Sequence, residues 1–127
     1  MKHFEIFNET YKANLVVVIG GNKEEFVTLI KKKYDCDVYK YYSKDFRLDT
    51  IEGAHFDFEQ EYPYKVIWMS KFIFNPEGVA SLVHEITHHV SEMCDNRNIS
   101  KKSDYDEPVA YLMEYYTREI IKKIKKK

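Results

Sequence analysis

The side chains most capable of chemistry in this chain are two histidines, His84 and His88, with Glu85 directly after the first of them. Residues four apart on an α-helix lie on one face, so the two imidazoles can bind a single metal ion. Glu85 projects about 100° round the helix from His84. Its carboxylate is then off the metal but within reach of a water that the metal activates. This His-Glu-x-x-His (HExxH) pattern is typical of zinc peptidases, in which the glutamate is the general base.

The residues around the motif predict a helix that begins near Asn75. Asn75 is a favourable N-cap, Pro76 suits the first helical position, and Glu77 complements the positive end of the helix dipole. Gly78 is the one weak helix former in this segment. The apolar residues that recur at helical spacing are Val79, Leu82, Val83, Ile86, Val90 and Met93. Because His84 and His88 lie outside this arc, core packing does not explain them.

A catalytic zinc site needs a third protein ligand and an open position. Glu107 is the candidate, because it begins a second amphipathic segment in which Asp106 can cap the helix and Pro108 fits its first turn. The apolar arc of this segment contains Val109, Ala110, Leu112, Met113, Tyr116, Ile120, Ile121 and Ile124. Glu107 projects away from that arc. We therefore expect Zn²⁺ to be bound by His84, His88 and Glu107, between the two C-terminal helices.

Eighteen residues separate His88 from Glu107, and this spacing resembles that of the gluzincin metallopeptidases, in which a downstream helix supplies a glutamate ligand. The segment 107–112, together with Val66-Ile67-Trp68-Met69 before the HExxH helix, is similar to the small zinc metallopeptidases of phages and prophages, the minigluzincins. The resemblance covers roughly the second half of the chain and implies a zincin-like domain that hydrolyses peptide bonds. It departs from the larger gluzincins at Tyr111, where they carry an aspartate that orients a zinc histidine.

The first half of the chain predicts a small mixed or antiparallel sheet and one packing helix. Residues 15–19 form an apolar run typical of a strand buried on both faces. Asn22 and Glu25 form a capping box for a helix over 23–34. Alternating patterns predict further strands over 36–42 and 54–61, and apolar residues on both sides predict another over 65–74. Together with the HExxH helix and the Glu107 helix, these elements give an α+β minimal zincin-like fold in a single domain, residues 1–127.

Three further patterns leave alternatives open. Residues 65–74 form either the rim of the substrate cleft, as the resemblance implies, or a strand of the core. On the strand over 54–61, Phe56 and Phe58 face inward, whereas His55 lies on an acidic face that is either solvated, the favoured interpretation, or a metal site. His89 is expected to be a packed neighbour of the motif and not a ligand. The residues 20–22 do not complete a phosphate-binding motif.

Composition limits the kinds of partner. The formal net charge is −1 with 32% charged residues, so no nucleic-acid partner is predicted. No apolar run is long enough to cross a membrane. Cys36 and Cys94 lie far apart, and we expect both to be free thiols in the cytoplasm of a bacterial or host cell. The predicted partner is a peptide or protein substrate, and the oligomeric state is not indicated.

The sequence therefore predicts a zinc-dependent metallopeptidase with Glu85 as general base. Tyr105 and Tyr111, which lie close to Glu107, are candidates for a hydrogen-bond donor to the reacting carbonyl. The alternative function is a metal-binding phage or prophage protein without protease activity, acting as a partner-binding module. Another metal-dependent hydrolase, such as an amidase, would use the same water activation.

Overall fold

The computed structural model describes residues 1–48, 53–58, 64–96 and 107–125. Within these residues the chain forms four strands and four helices. The strands are β1 (Lys2–Asn8), β2 (Ala13–Ile19), β3 (Gly53–Asp57) and β4 (Tyr64–Met69). The helices are α1 (Lys23–Tyr34), α2 (Val38–Tyr41), α3 (Pro76–Asn96) and α4 (Glu107–Lys125). The predicted α+β class is confirmed, with one short helix, α2, beyond the three expected.

The four strands form one sheet in the order β1, β2, β4, β3. β2 and β4 pair in parallel, while β1 pairs antiparallel with β2, and β3 pairs antiparallel with β4. Among the described strands, β1 and β3 therefore form the two edges. The interpretation of residues 65–74 as a substrate rim is wrong for β4, because both of its edges are occupied by neighbouring strands. The strand also ends at Met69 and does not continue to Phe74.

Alternate side chains of the two interior strands enter separate cores on the two faces of the sheet. The core on the side of α3 and α4 contains Leu15, Val17, Ile67 and Met69. The core on the side of α1 contains Val16, Val18, Val66 and Trp68. Parallel strands covered on both faces are expected to have continuous apolar runs, and β2 has the predicted one.

Helix α1 has the predicted bounds and the predicted cap. The Asn22 side chain accepts from the Glu25 N–H at 2.9 Å, and the Glu25 carboxylate accepts from the Asn22 N–H at 3.0 Å. The ring of Phe26 stacks on Trp68 at 4.5 Å between centroids. The turn before α1 uses Gly20 and Gly21, both at positive φ, and the Gly20 carbonyl accepts from the indole N–H of Trp68 at 3.0 Å. The two glycines therefore have a structural role in this turn.

The strand predicted over 36–42 is wrong, because this segment contains the short helix α2. Asp37 caps this helix, since its carboxylate accepts from the Tyr39 N–H at 3.0 Å. Cys36 and Val38 are buried in the core on the α1 side. The rings of Tyr41 and Tyr42 pack edge-on against Phe58 and Phe56, respectively. Both tyrosines are partly buried and form the rim of that core. The Asp37 cap therefore favours a helix in this segment more strongly than the weak alternation of apolar residues favours a strand.

Helix α3 begins as predicted. The Asn75 side chain accepts from the Gly78 N–H at 2.8 Å, and the Val79 N–H donates to the Asn75 carbonyl at 3.0 Å. Gly78 is required by a close approach, because a Cβ at this position would lie 1.9 Å from the carbonyl oxygen of Ile73. The residue that weakens the helix by propensity is thus the one that lets the preceding loop pack against it.

Helix α4 runs antiparallel to α3 and to β1. Near its middle, the Tyr116 hydroxyl lies 3.4 Å from the sulfur of Met93. Near its end, Lys125 Nζ lies 4.8 Å from the ring centroid of Phe74, just before α3 begins. Lys2 at the start of β1 donates to the carbonyl of Lys123 at 2.6 Å. α4 therefore packs on the β1 side of the sheet, whereas α3 packs over β3 and β4.

The two cysteines are free and buried. Cys36 belongs to the core on the α1 side and Cys94 to the core on the α3 side, so the sheet lies between them. The expectation of two free thiols is confirmed. In the described part of the chain, the helices lack the combination of length and apolar character that a membrane-spanning helix needs.

Candidate metal centre

The two histidines of the motif converge on the exposed face of α3. Nε2 of His84 and Nε2 of His88 are 3.1 Å apart, and the ring centroids are 4.8 Å apart with the planes at 76°. With Zn–N distances of about 2.0–2.1 Å, nitrogens at this separation subtend an angle of about 100° at the ion, close to tetrahedral. Without an ion, one ring can donate a hydrogen bond to the other. We call His84 and His88 the histidine pair.

Glu85 lies on a different side of α3 from the histidine pair, as its predicted position round the helix requires. The side chain is buried, with 0% of its surface exposed. The core residues Leu82 and Ile86 flank it along the helix. Burying a carboxylate costs free energy that an apolar side chain at the same position would not. Core packing alone therefore does not account for a glutamate at this position.

His89 is a packed neighbour of the motif, as predicted. It is fully buried, and its ring meets the ring of Tyr116 edge-on at 4.5 Å between centroids. Tyr116 belongs to α4 and is itself buried. His89 therefore contributes to the contact between the two C-terminal helices.

A fourth histidine, His55 of β3, faces the same part of α3. Its ring centroid lies 6.3 Å from that of His88, with the planes at 24°, and 6.0 Å from that of His89. The favoured interpretation of this strand face as solvated is wrong at His55, which is half-buried against α3. The alternation of residues 54–58 predicted which side chains share a face. It did not show that α3 covers that face, because this depends on the strand order.

An ion pair with a buried lysine lies on the same face of the sheet, two residues along β3 from His55. Asp57 and Lys65 are register partners, and Lys65 Nζ lies 3.5 Å from Asp57 Oδ1 with only 1% of the lysine side chain exposed. Glu92 of α3 approaches the same carboxylate. Burial raises the pKa of Glu92, and its hydrogen bond with Asp57 raises that pKa further. These charges connect α3 to both β3 and β4 beside the histidine pair.

Glu107 is the first residue of α4, and its side chain lies outside the described residues. Tyr116, which contacts His89, comes nine residues later, a distance of about 13 Å along a regular helix. Because the helices are antiparallel, Glu107 is displaced toward the C-terminal end of α3. The described helix contacts thus do not themselves bring Glu107 to the histidine pair, and its role as a ligand stays a prediction. Asp106 and Tyr105 also lie outside the described residues.

Within the side chains that the structure describes, no three from histidine, cysteine, aspartate and glutamate gather closely enough to hold a metal ion. That set excludes Glu107, so it does not test the predicted third ligand. The two candidate ligands, His84 and His88, have a separation that fits one ion, and both are exposed to solvent. The donor set of two imidazole nitrogens suits zinc and other late transition metals.

Tyr111 lies away from the histidine pair, on the β1 side of the molecule. It is 65% exposed and lines a cavity of about 510 Å³ between the β1–β2 turn and the first half of α4. We call this the aromatic cavity, because its walls include Phe7, Tyr11, Tyr111 and Tyr115. The candidate role of Tyr111 as a donor to the reacting carbonyl has no support from this position.

Comparisons of the chain with protein-family models, with curated proteins and with solved structures give no match.

Proposed function

We propose that this protein is a zinc-dependent metallopeptidase of the gluzincin type, with the histidine pair as metal ligands. The observation that carries the proposal is the 3.1 Å separation of the two Nε2 atoms on one exposed helix face. The separation fits two nitrogen ligands of one tetrahedral ion. The buried Glu85 beside this pair supports catalysis, because a purely structural metal site has no use for a general base.

In the proposed reaction, His84 and His88 hold the ion, and Glu107 completes the ligand set as the sequence predicts. A bound Zn²⁺ supplies Lewis-acid chemistry that makes water nucleophilic near neutral pH and polarises a carbonyl. Glu85 takes a proton from the attacking water and passes it to the nitrogen of the leaving amine. Because Glu85 has no exposed surface in this conformation, substrate binding must open a space for water beside it.

The resemblance to the minigluzincins supports a peptide or protein as the substrate, and the two thiols without a disulfide support a location in a reducing cytoplasm. The α+β fold, with the HExxH helix after the fourth strand and a Glu-bearing helix last, agrees with the order of elements in a minimal zincin-like domain. The resemblance does not extend to the aspartate that orients a zinc histidine in the larger gluzincins. The residue at that position is Tyr111, which is exposed.

The test combines metal analysis with peptide cleavage for four proteins: wild type, Glu85→Gln, His84→Ala and Glu107→Gln. We expect one zinc per chain in wild type and in Glu85→Gln, with cleavage of a mixed peptide library by wild type only. His84→Ala should lose zinc, and Glu107→Gln should lower zinc affinity by about tenfold or more. The matched control is His3→Ala, an exposed histidine on the far edge of the sheet. Absence of zinc from wild type would overturn the proposal.

A second candidate function is a partner-binding module that holds a metal but does not cleave peptides. The aromatic cavity favours it, since Phe7 and Tyr111 are large apolar side chains that are 44% and 65% exposed. Exposed aromatic residues in a concave surface are typical of recognition sites. Zinc in both wild type and Glu85→Gln, with no cleavage by either, would favour this function. A test of simple amides would also be needed, because a metal-dependent amidase could leave the peptides intact. Amides that also remained intact would exclude this alternative.

A further inference from the structure

The aromatic cavity lies away from the candidate metal centre. The β1–β2 turn and the first half of α4 form it, whereas His88 of the histidine pair lies beside β3, at the opposite edge of the sheet. Its volume of about 510 Å³ falls in the range of about 300–1,000 Å³ that is usual for ligand sites. The proposed peptidase reaction does not use this cavity.

Two hydrogen bonds hold the walls of the cavity in place. The Tyr115 hydroxyl of α4 donates to the Phe7 carbonyl at 3.2 Å, which joins the helix to the edge strand β1. The side chain of Asn8, a buried residue, accepts from the Tyr11 N–H at 3.1 Å, which fixes the start of the turn. The cavity is therefore built into the fold, and a ligand would not have to order its walls.

The walls combine aromatic rings with one charge. The rings belong to Phe7, Tyr11, Tyr111 and Tyr115. Among the described residues that line the cavity, Glu9 carries the only charge, and its side chain is exposed. Lys12 belongs to the same turn but does not line the cavity. A carboxylate among aromatic rings suits a ligand that has both a positive charge and an apolar part.

The neighbouring charges on α4 are also compatible with a cation. The guanidinium carbon of Arg118 lies 6.0 Å from the ring centroid of Tyr115, and this arginine pairs with Glu114 at 3.3 Å and Glu119 at 3.4 Å. Burial is the main cause of the raised pKa of Tyr115, and the charges of Glu119 and Glu9 raise that pKa further, against the effect of Arg118. The Glu9 carboxylate therefore acts electrostatically on the cavity wall.

We propose that the aromatic cavity binds a lysine side chain of a peptide or protein partner, with the ammonium group beside Glu9 and the methylene stem against Phe7 and Tyr111. Aromatic rings attract an ammonium ion, and the carboxylate supplies the opposite charge. The stem would cover apolar ring surface that is now exposed to water. The cavity is larger than one lysine side chain, so the adjoining backbone of the partner also has room. This lysine site does not depend on the metal centre.

The test compares two peptides by NMR titration of ¹⁵N-labelled full-length protein. One is acetyl-Gly-Lys-Gly-amide, and the other has norleucine in place of lysine, which keeps the four carbons of the side chain but lacks the ammonium group. We expect the lysine peptide to bind about tenfold more tightly, because only it forms the ion pair and the cation–π contacts. The amide shifts that change should belong to the residues around the cavity.

Three variants separate the parts of the lysine site. Glu9→Gln removes the charge and keeps the shape, and it should weaken binding of the lysine peptide about threefold to fivefold. Tyr111→Leu keeps apolar bulk without the ring, and it should weaken binding about twofold to fivefold. Glu5→Gln is the matched control, because Glu5 is exposed on the same strand but acts electrostatically on Tyr34 near α1. It should bind the lysine peptide as wild type does.

The outcomes distinguish the lysine site from the other possible occupants. Equal or tighter binding of the norleucine peptide would identify an apolar ligand and overturn the proposal. Equal binding of n-butylammonium and the lysine peptide would identify free amines and overturn the peptide as ligand. No shift changes with either peptide at millimolar concentration, or an unchanged affinity of Glu9→Gln, would also overturn it. Absence of zinc from wild type would overturn the peptidase function alone, since these titrations need no metal.

Discussion

Two buried polar side chains, Glu85 and His89, occupy positions on α3 where an amphipathic helix would ordinarily carry apolar residues. Each lowers the free energy gained from packing, since desolvating a polar group has a cost that hydrogen bonds at best offset. For His89, the edge-on contact with the ring of Tyr116 offsets part of this desolvation cost. For Glu85, the proposed role as general base offers an explanation, because such a base must lie close to the proposed metal centre.

Gly78→Ala provides a test at the scale of one residue. Helix propensity alone predicts that alanine stabilises the protein, by up to about 1 kcal/mol. The structure predicts the opposite, because the new Cβ would lie 1.9 Å from the Ile73 carbonyl oxygen. We expect the free energy of unfolding to fall by about 1–3 kcal/mol, measured by urea denaturation.

The control for Gly78→Ala is the reverse change at an exposed helix position, Ala110→Gly. This variant should lose about 1 kcal/mol from propensity alone. A Gly78→Ala protein as stable as wild type, or more stable, would show that the loop before α3 does not pack as described.

At the scale of elements, the contact between α3 and β3 determines where His55 lies relative to the histidine pair. Asp57, Lys65 and Glu92 form this contact from three different elements. Lys65 is an interior-strand lysine that is almost completely buried, so its charge needs the nearby carboxylate. Helix α3, which carries the histidine pair, thus also contributes to a charge cluster around the buried Lys65.

Glu92→Gln tests that cluster through its pH dependence. Because burial and the hydrogen bond with Asp57 raise the pKa of Glu92, the folded protein binds this proton more tightly than the unfolded chain does. Lys65 opposes the shift and Asp95 adds to it. The resulting stabilisation is fully present below the ordinary glutamate pKa and is lost as the pH rises through the raised pKa. Wild type should therefore lose stability across this window.

The glutamine variant keeps a hydrogen-bond donor without a titratable proton. We expect Glu92→Gln to show a weaker pH dependence than wild type over this window and to be the more stable of the two at neutral pH, in urea denaturation series. Glu114→Gln, at an exposed position on α4, is the control and should follow wild type. An identical pH dependence for Glu92→Gln and wild type would show that the contact between Glu92 and Asp57 does not contribute to stability at this interface.

At the scale of the whole molecule, the sheet joins two cores that lie on its opposite faces. Trp68 is the single tryptophan of the chain and is buried in the core on the α1 side, while the adjacent residues Ile67 and Met69 enter the core beneath α3. A small domain with such shared strands is expected to unfold in one cooperative transition. Trp68 fluorescence should therefore report metal binding at the candidate site on the other face.

Zinc binding provides the corresponding prediction. At a free zinc concentration of about 100 times Kd, binding to the folded state should add about 2.7 kcal/mol to the free energy of unfolding. The transitions followed by Trp68 fluorescence and by far-UV circular dichroism should shift together. His84→Ala and His88→Ala should abolish the shift, whereas His3→Ala should retain it. Separate transitions by the two probes would show that the two cores unfold independently.

Local signals were sufficient for the helices that carry or support the site. The cap at Asn75, the capping box of Asn22 and Glu25, and the four-residue spacing of His84 and His88 all act within a turn or two of helix, where neighbouring residues decide the conformation. The sequence therefore determined the bounds of α1, the start of α3, the two alternating faces of the strands and the histidine pair.

The tertiary structure alone decided which elements lie beside that pair. Strand order depends on contacts between residues far apart in the chain, and no local pattern showed that β4 is interior or that β3 brings His55 to His88. The need for glycine at position 78 was also not visible in the sequence, because it comes from the preceding loop, which packs against the first turn of the helix. The sequence thus determined which residues form the candidate site. The strand order determined which other elements lie beside that site, and it depends on long-range pairing that no local pattern shows.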